Sequence, residues 1–521
     1  MSDIGFLIIS LLAVIALASA TQRLTIPYPV VLLLGGIAAG WLPGVPGFRL
    51  DPDLALVIFL APVLFQAGFE TSWRDFRANL VPIGMLAIGA VLVTMIAVGI
   101  AAHLFFPDMP WAVALTLGAI VAPPDAVAAT SVFQKIGVPH QMRTIVEGES
   151  LVNDASALIA YRYTVAAVVS GHLALQSALT SFVLTGVLSI VAGLLIGWLL
   201  TRLLPHIDDP SLTIALTVIA PMPIYIASDE VGLSGVLVVV AAAIVVGRFS
   251  THALSPRERL GFRSVWSTVL ILLNSLVFLL IGLEFAEGFR ELPGNTSTTL
   301  IRGALVISLV VIAARFAWVL TANGISRIIP SLRKNAVSWR VAIAISWSGL
   351  RGIVSVALAM ALPLTLNNGD LFEWRTEVVF LAFVIIVVTL LGEGLTLPWL
   401  LRVLNLTAGD EELREEWIAR REAATAALHR LDELADEPCI DPLHARVMRL
   451  RFNHWLELSP NQGKLTKKGR EHIRAGNRLR NELLDAAREA VVEARNRGEI
   501  GDNARLTVEG DLDLEDERTI L

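Results

Sequence analysis

Long apolar runs recur along the first four fifths of the chain, separated by short stretches that carry most of its charges. A membrane-spanning helix needs about 17–25 consecutive, mostly apolar residues, and about thirteen windows meet this criterion. They fall near residues 4–21, 26–41, 53–70, 80–106, 111–134, 146–170, 176–204, 211–228, 233–249, 264–286, 299–325, 337–361 and 376–403. The first run has neither a basic segment before it nor a cleavage site, so we expect a retained helix and not a signal peptide. The pattern predicts an all-α polytopic membrane protein.

Composition strengthens this prediction. Of the 521 residues, 55% are hydrophobic and 17% are charged, and the mean hydropathy is +0.67. These values exclude a soluble protein of several domains. The net charge of −6 arises mainly from the tail and indicates no nucleic-acid partner. The single Cys439 allows neither an intrachain disulfide nor zinc-ligand spacing. We expect no cofactor, and the apolar composition predicts that membrane lipid surrounds the protein.

The composition changes abruptly near Leu406, where Arg and Glu become frequent. We therefore divide the chain into a transmembrane domain, residues 1–405, and a cytoplasmic helical tail, residues 406–521. Two or three helices are predicted in the tail, with breaks at Glu437-Pro438 and Ser459-Pro460. The acidic end, GDLDLEDERTIL, is predicted to be disordered.

Lys and Arg residues are concentrated in alternate loops, those that follow the odd-numbered spans. These residues are Arg23, Arg74, Arg77, Lys135, Arg143, Arg202, Arg248, Arg257, Arg259, Arg263, Arg327, Arg333, Lys334 and Arg340. Cytoplasmic loops of membrane proteins are enriched in such residues. The pattern therefore predicts that the N-terminus lies outside and the charged tail lies in the cytoplasm.

One apolar segment, residues 145–165, carries Glu147, Glu149, Asn153 and Asp154. On a helix these side chains and Ser150 fall on two adjoining faces, so they form one polar patch. Acidic groups at membrane depth are costly unless they face a partner, a cavity or an ion. The patch is therefore a candidate ion site.

Two spans contain helix-breaking sequences. The fifth contains VAPPDAVAAT, in which two prolines precede Asp125, and the twelfth contains SWSGLRGIVS, in which two glycines flank Arg351. With span 7 as a connector, these breaks occupy the fifth position of two six-span halves related by inversion. Matched breaks of this kind indicate the midplane binding site of a secondary transporter. Arg351 is expected to offset exposed carbonyl ends or to pair with a carboxylate, Glu149 or Glu147.

The array APPDAVA (122–128), EGESLVNDASAL (147–158) and GLRG (349–352) resembles the sodium/proton exchangers of the monovalent cation/proton antiporter superfamily, on the branch of the NhaP-type and animal exchangers. The resemblance covers about residues 1–405. It implies thirteen helices, a homodimer, a dimerisation domain and a mobile core in which broken helices 5 and 12 cross. It also implies electroneutral exchange of one monovalent cation for one proton.

The resemblance also implies roles for individual residues. Asp154 is the carboxylate that binds cation and proton, Asp125 is the aspartate of the broken helix, and Asn153 completes the Asn-Asp pair. Ser150 is a cation ligand, Glu149 pairs with Arg351, and Glu70 matches an acid of the third span. The Na⁺ ligands are thus expected to be Asp125, Asp154 and Ser150.

This sequence departs from the family pattern at two positions, Pro124 and Glu393. Pro124 precedes the aspartate and offers only its backbone carbonyl. Glu393 stands where the family leads us to expect Gln. Glu147 has no assigned role.

These residues predict a transporter of the plasma membrane and not an enzyme. A carboxylate removed from water binds a proton more readily, and the same group binds a hard cation such as Na⁺ or Li⁺. Competition between the two ions gives exchange. A potassium/proton exchanger is the alternative, followed by a sodium-coupled carrier of an organic anion.

Overall fold

The computed structural model describes residues 12, 15, 16, 27–42, 56–170, 175–291, 294–366, 370–406, 411–434, 441–458 and 467–517. The chain divides into two compact units, Met1–Thr407 and Ala408–Leu521. In the described part of the first unit we label fifteen helices, and no strand is present there. They are α1 Tyr28–Gly40, α2 Leu56–Glu70, α3 Trp73–Ala78, α4 Leu80–Phe105, α5 Trp111–Val121, α6 Ala126–Ile136, α7 His140–Ser170, α8 Leu175–Leu203, α9 Pro210–Glu230, α10 Gly235–Ala253, α11 Pro256–Glu291, α12 Gly294–Ile328, α13 Trp339–Trp347, α14 Ile353–Met360 and α15 Arg375–Val403.

The all-α polytopic architecture is confirmed. Within the described residues, seven helical segments are long and apolar enough to cross a membrane, and one of them is Trp111–Ile136, which contains both α5 and α6. The helices α1 and α2 and the segment Gly235–Phe249 are shorter apolar helices. The predicted first span, residues 4–21, lies almost wholly outside the described residues. The count of thirteen spans and the inverted repeat therefore stay predictions.

Both predicted breaks are present. Helix α5 ends at Val121 and α6 begins at Ala126, because the two intervening prolines have no amide hydrogen to continue the helical ladder. The second break separates α13, which ends at Trp347, from α14, which begins at Ile353. Each pair of half-helices thus leaves backbone groups free near the middle of its span.

The helices of the first unit form two groups. In the group that we call bundle A, α1 packs on α11, while α2, α8 and α9 pack on α10. In bundle B, α4 packs on α5 and α12, α5 on α7, and α12 on α13 and α15. Gly36 and Gly282 bring α1 and α11 together, since a Cβ at either position would overlap the other helix's backbone.

The tail unit contains four helices, α16 Glu411–Leu434, α17 Pro442–Leu458, α18 Lys467–Asn496 and α19 Asp502–Glu517. The expected breaks at Glu437-Pro438 and Ser459-Pro460 lie outside the described residues. Helix α19 extends to Glu517 and therefore includes part of the acidic end for which the sequence predicts disorder. Arg488 of α18 pairs with Asp513 of α19 at 2.9 Å, so opposite charges offset the acidic composition.

Candidate functional site

The two broken spans meet each other at their breaks. The backbone amide of Asp125 donates a 2.5 Å hydrogen bond to the carbonyl of Leu350. Gly352 lies against the Asp125 carboxylate so closely that a Cβ there would overlap it. Gly352, the second glycine of the GLRG sequence, therefore permits the contact between the breaks.

Asp125 begins the second half of its span. Its Oδ1 accepts a 2.8 Å hydrogen bond from the Val127 amide, which is the usual geometry of a helix N-cap. The residue is half-buried and its carboxylate borders a cavity. Asp125 is thus a structural cap whose residue also lines the cavity.

Helix α7 holds three of the predicted site residues beside this break. The Asn153 side-chain amide donates to the Pro124 carbonyl at 3.2 Å, and the Ala126 amide donates to Ser150 Oγ at 3.4 Å. Asp154 is 5% exposed and lies close enough to Asp125 for the two carboxylates to interact electrostatically. The structure therefore brings together the residues that the sequence predicts as cation ligands.

A cavity of about 1080 Å³ reaches this site between bundles A and B. Bundle B contributes Asp125, Ser150 and Asp154 to its wall, and bundle A contributes Tyr28 and Asn274. The other charged residues that line it are Glu70, Arg143, Glu147, Arg259 and Arg263. Glu70 and Leu260 are exposed, so the cavity is open on the side of these arginines, which we call the basic face.

The expected ion pair between Glu149 and Arg351 was wrong. Glu149 is 1% exposed and binds Arg315 of α12, whose guanidinium reaches both carboxylate oxygens at 2.6 and 2.9 Å. Arg315 also donates to the Ile345 carbonyl of α13 at 3.2 Å. The planar guanidinium is suited to this contact, because it donates two parallel hydrogen bonds to one carboxylate.

Arg351 instead stabilises backbone carbonyl groups at the two breaks. Its Nε donates to Val121 at the end of α5 at 3.0 Å, and its Nη1 donates to the Gly349 carbonyl. Arg351 was expected either to offset exposed carbonyl ends or to pair with a carboxylate, and its hydrogen bonds correspond to the first of these. Its Nη2 has no hydrogen-bond partner.

Two charged residues of this region, Arg315 and Glu393, were given no role by the sequence. Arg315 interrupts a long apolar span, and that interruption was the available signal. Glu393 of α15 is fully buried, and neither carboxylate oxygen accepts a hydrogen bond. Its electrostatic neighbours are Arg351 and Arg315. Together with Glu149, these residues form a cluster of two acids and two arginines.

Glu147, which the sequence left without a role, pairs with Arg143 one turn earlier at 2.8 Å and is half-exposed. It therefore belongs to the cavity wall and not to the buried charge cluster. Glu70 also lines the cavity, nearer to its open end.

Crossed broken helices that bring two carboxylates to the end of a cavity define a secondary transporter of the membrane. The sequence profile described as "Sodium/hydrogen exchanger, transmembrane" matches residues 8–403. The chain therefore belongs to the sodium/hydrogen exchanger family, as its motifs predicted.

Relatives and solved structures agree with this assignment. An uncharacterised Na⁺/H⁺ exchanger of Mycobacterium tuberculosis is 30% identical over 98% of this chain and 96% of its own length. The Na⁺/H⁺ antiporter ApNhaP of Aphanothece halophytica is 30% identical over 89% and 85%. The fold resembles the sodium proton antiporter MjNhaP1 from Methanocaldococcus jannaschii at pH 8, with a TM-score of 0.62, 20% identity and coverage of 77% of this chain and 98% of that one.

Proposed function

We propose that this protein exchanges Na⁺ or Li⁺ for H⁺ across the plasma membrane, one cation for one proton. Asp154 and Asp125 form the site for which the two ions compete. One observation carries the proposal: Asp154 and Asp125 both line a cavity that is open on one side. They do so at the place where the two broken helices contact each other. Relatives named as Na⁺/H⁺ exchangers support the same activity.

A sodium ion needs several oxygen ligands to replace its water. The two carboxylates, the Ser150 hydroxyl and the backbone carbonyls freed at the first break supply them. In the described residues, no group of three or more Asp, Glu, His or Cys side chains is arranged to hold a metal ion.

Exchange follows from competition at the same carboxylates. When the cation leaves, two carboxylates remain side by side with little water, and uptake of a proton relieves their repulsion. A loaded site is closer to neutral than an empty one. If the protein turns its site from one side of the membrane to the other only with a cation or a proton bound, each cation moved one way requires a proton moved the other way.

Asn153 supports a ratio of one to one. Its amide holds the Pro124 carbonyl and carries no charge, so the site has no additional titratable group at that position. We expect Asn153→Asp to impair exchange without making it electrogenic. A membrane potential generated by this variant would contradict the role given to Asn153.

Potassium/proton exchange is the second candidate. The Bacillus subtilis relative named "Sodium, potassium, lithium and rubidium/H(+) antiporter" is 29% identical over 96% of this chain. Na⁺, Li⁺, K⁺ and Rb⁺ all bind oxygen ligands, so a site built from oxygen atoms does not by itself exclude any of them. Na⁺, Li⁺, K⁺ and Rb⁺ should therefore be compared in the same vesicles.

The same proposal includes the orientation of the protein in the membrane and its oligomeric state. The N-terminus lies outside the cell, the tail lies in the cytoplasm, and the basic face is the cytoplasmic face. The working form is a homodimer, in agreement with the family resemblance. Cysteine labelling from each side of intact cells tests the orientation, and mass measurement in detergent tests the dimer.

The direct test is cation-driven proton flux in proteoliposomes that contain a pH-sensitive dye. Asp154→Asn and Asp125→Asn should each abolish the flux, because each removes a carboxylate that both ions need. Asp108→Asn is the matched control, since Asp108 is an exposed acid in the loop between α4 and α5. Substantial flux in either site variant would show that the exchange site is elsewhere.

A further inference from the structure

An ion pair joins the two bundles on the side away from the cavity. Nη2 of Arg162 in α7, a helix of bundle B, donates to Oδ1 of Asp229. Asp229 stands near the end of α9, in bundle A. The side chains are 42% and 41% exposed. The pair therefore crosses the boundary between the bundles where solvent reaches it.

The position along α7 relates this pair to the ion site. A helix rises about 1.5 Å per residue, so Asp154 lies about 16 Å beyond Arg143 on the basic face, and Arg162 lies about 12 Å beyond Asp154. The cavity is lined by Arg143 and Asp154. Arg162 is thus on the opposite side of the ion site from the cavity opening.

Between Asp154 and Arg162 the helix is closed in. Ala155, Ala157, Leu158 and Tyr161 are each at most 6% exposed. About two turns of packed side chains therefore separate the ion site from the solvent around Arg162. The Arg162–Asp229 pair forms the outer edge of this closed layer.

We infer that Arg162 and Asp229 form an ionic latch. While the cavity opens to the basic face, as it does here, the latch keeps the opposite side closed. It opens when the ion site becomes accessible from that opposite side. The inference rests on the proposed exchange, because an exchanger must expose its site to each side in turn. For the site to reach solvent beyond Arg162, the two bundles must separate there, and a contact that crosses their boundary must break.

The exposure of the latch makes it suitable for repeated opening. Ion pairs that remain in contact with water are weak, so this one shifts the balance between the two facing states by about five-fold at most. A buried pair such as Glu149–Arg315 is much harder to break. The weak pair lies on the boundary between bundles, and the strong one lies inside bundle B.

Neutralising the latch should shift the balance of states. In Arg162→Gln the apparent cation affinity measured from the side opposite the basic face should rise up to about five-fold, and the affinity from the basic face should fall. The charge-swapped protein with Arg162→Asp and Asp229→Arg should return both affinities towards the parental values. Affinities that are unchanged in Arg162→Gln would overturn the inference.

Crosslinking gives the sharper test. In the full chain with Cys439→Ser, cysteines replace Arg162 and Asp229, and a short bifunctional thiol reagent with a reducible linker joins them. Crosslinked protein should lose cation-driven proton flux, and reduction should restore it. The two single-cysteine variants, treated with the same reagent, are the matched controls and should retain their flux.

Each remaining outcome is informative. Failure to crosslink, or a crosslinked protein that still exchanges ions, overturns the latch. Absence of flux in the untreated Cys439→Ser protein contradicts the proposed exchange itself, so the two failures are distinguishable. If the double-cysteine protein is inactive before treatment, the charge-swapped variant decides the question by its affinities.

Discussion

Glu149 and Asp154 are carboxylates on the same helix, five residues apart, and both are almost completely buried, at 1% and 5% exposure. Their surroundings differ. Glu149 receives both arms of the Arg315 guanidinium, whereas Asp154 faces a cavity beside a second carboxylate, Asp125.

The difference shows what makes a buried acid structural or exchangeable. A carboxylate held by a fixed arginine has its countercharge permanently in place, and its removal leaves the arginine buried and uncompensated. A carboxylate beside a cavity and another acid must obtain its positive charge from solution. One side of α7 therefore carries a permanently paired acid inside bundle B, and the other side carries the acid of the proposed ion site.

The largest expected effect is on stability at the paired side. Glu149→Gln leaves Arg315 without a countercharge at hydrogen-bonding distance, so we expect a loss of about 3–5 kcal/mol of unfolding free energy. Thermal unfolding in detergent measures it. Replacing both partners together, as Glu149→Leu with Arg315→Met, should recover most of the loss, because no isolated charge remains.

Two matched variants on α7 sharpen the same comparison. Glu147→Gln makes the identical change at a half-exposed ion pair and should cost less than about 1 kcal/mol. Asp154→Asn should abolish flux without lowering the unfolding midpoint, because it removes one of two adjacent like charges. A loss of stability in Asp154→Asn equal to that of Glu149→Gln would remove the distinction between the two acids.

A smaller effect is expected at the crossing of the breaks. In Gly352→Ala the new methyl group overlaps the Asp125 carboxylate, and overpacking of this kind costs about 1–3 kcal/mol. Because the displaced carboxylate belongs to the proposed ion site, the half-saturating cation concentration in the flux assay should rise. Gly392→Ala is the control, since a Cβ at Gly392 meets no atom within 4 Å. Equal cation affinities in both variants would contradict the close contact.

Among the fully buried charges, the smallest effect is expected at Glu393. Its carboxylate is as buried as that of Glu149 but accepts no hydrogen bond, so Glu393→Gln removes a through-space attraction to the arginines and no direct contact. We expect a stability loss of about 1 kcal/mol, well below that of Glu149→Gln. Equal losses in the two variants, measured by the same thermal unfolding, would show that burial and not pairing sets the cost.

The local features of this protein could be predicted from its sequence. The apolar runs predicted the helices, and paired prolines predicted the break before Asp125 because proline cannot continue a helix. The spacing of Ser150, Asn153 and Asp154 placed them near one another on α7. These predictions succeeded because each depends on residues that are neighbours along the chain.

The partner of Glu149 could not be predicted in the same way. Arg315 is 166 residues away in sequence and was assigned no role from the sequence, whereas Arg351 was the predicted partner. The contact between Asp513 and Arg488 in the tail could not be predicted for a similar reason, since the two residues lie on different helices.

The sequence by itself determined the class of protein, its apolar helices and the candidate residues of the ion site, because hydrophobicity and backbone chemistry act locally. The tertiary structure decided which acids are paired, which side of the ion site is open, and that Arg162 meets Asp229. These contacts depend on how helices far apart in sequence pack against each other. The identity of the side chains alone does not specify that packing.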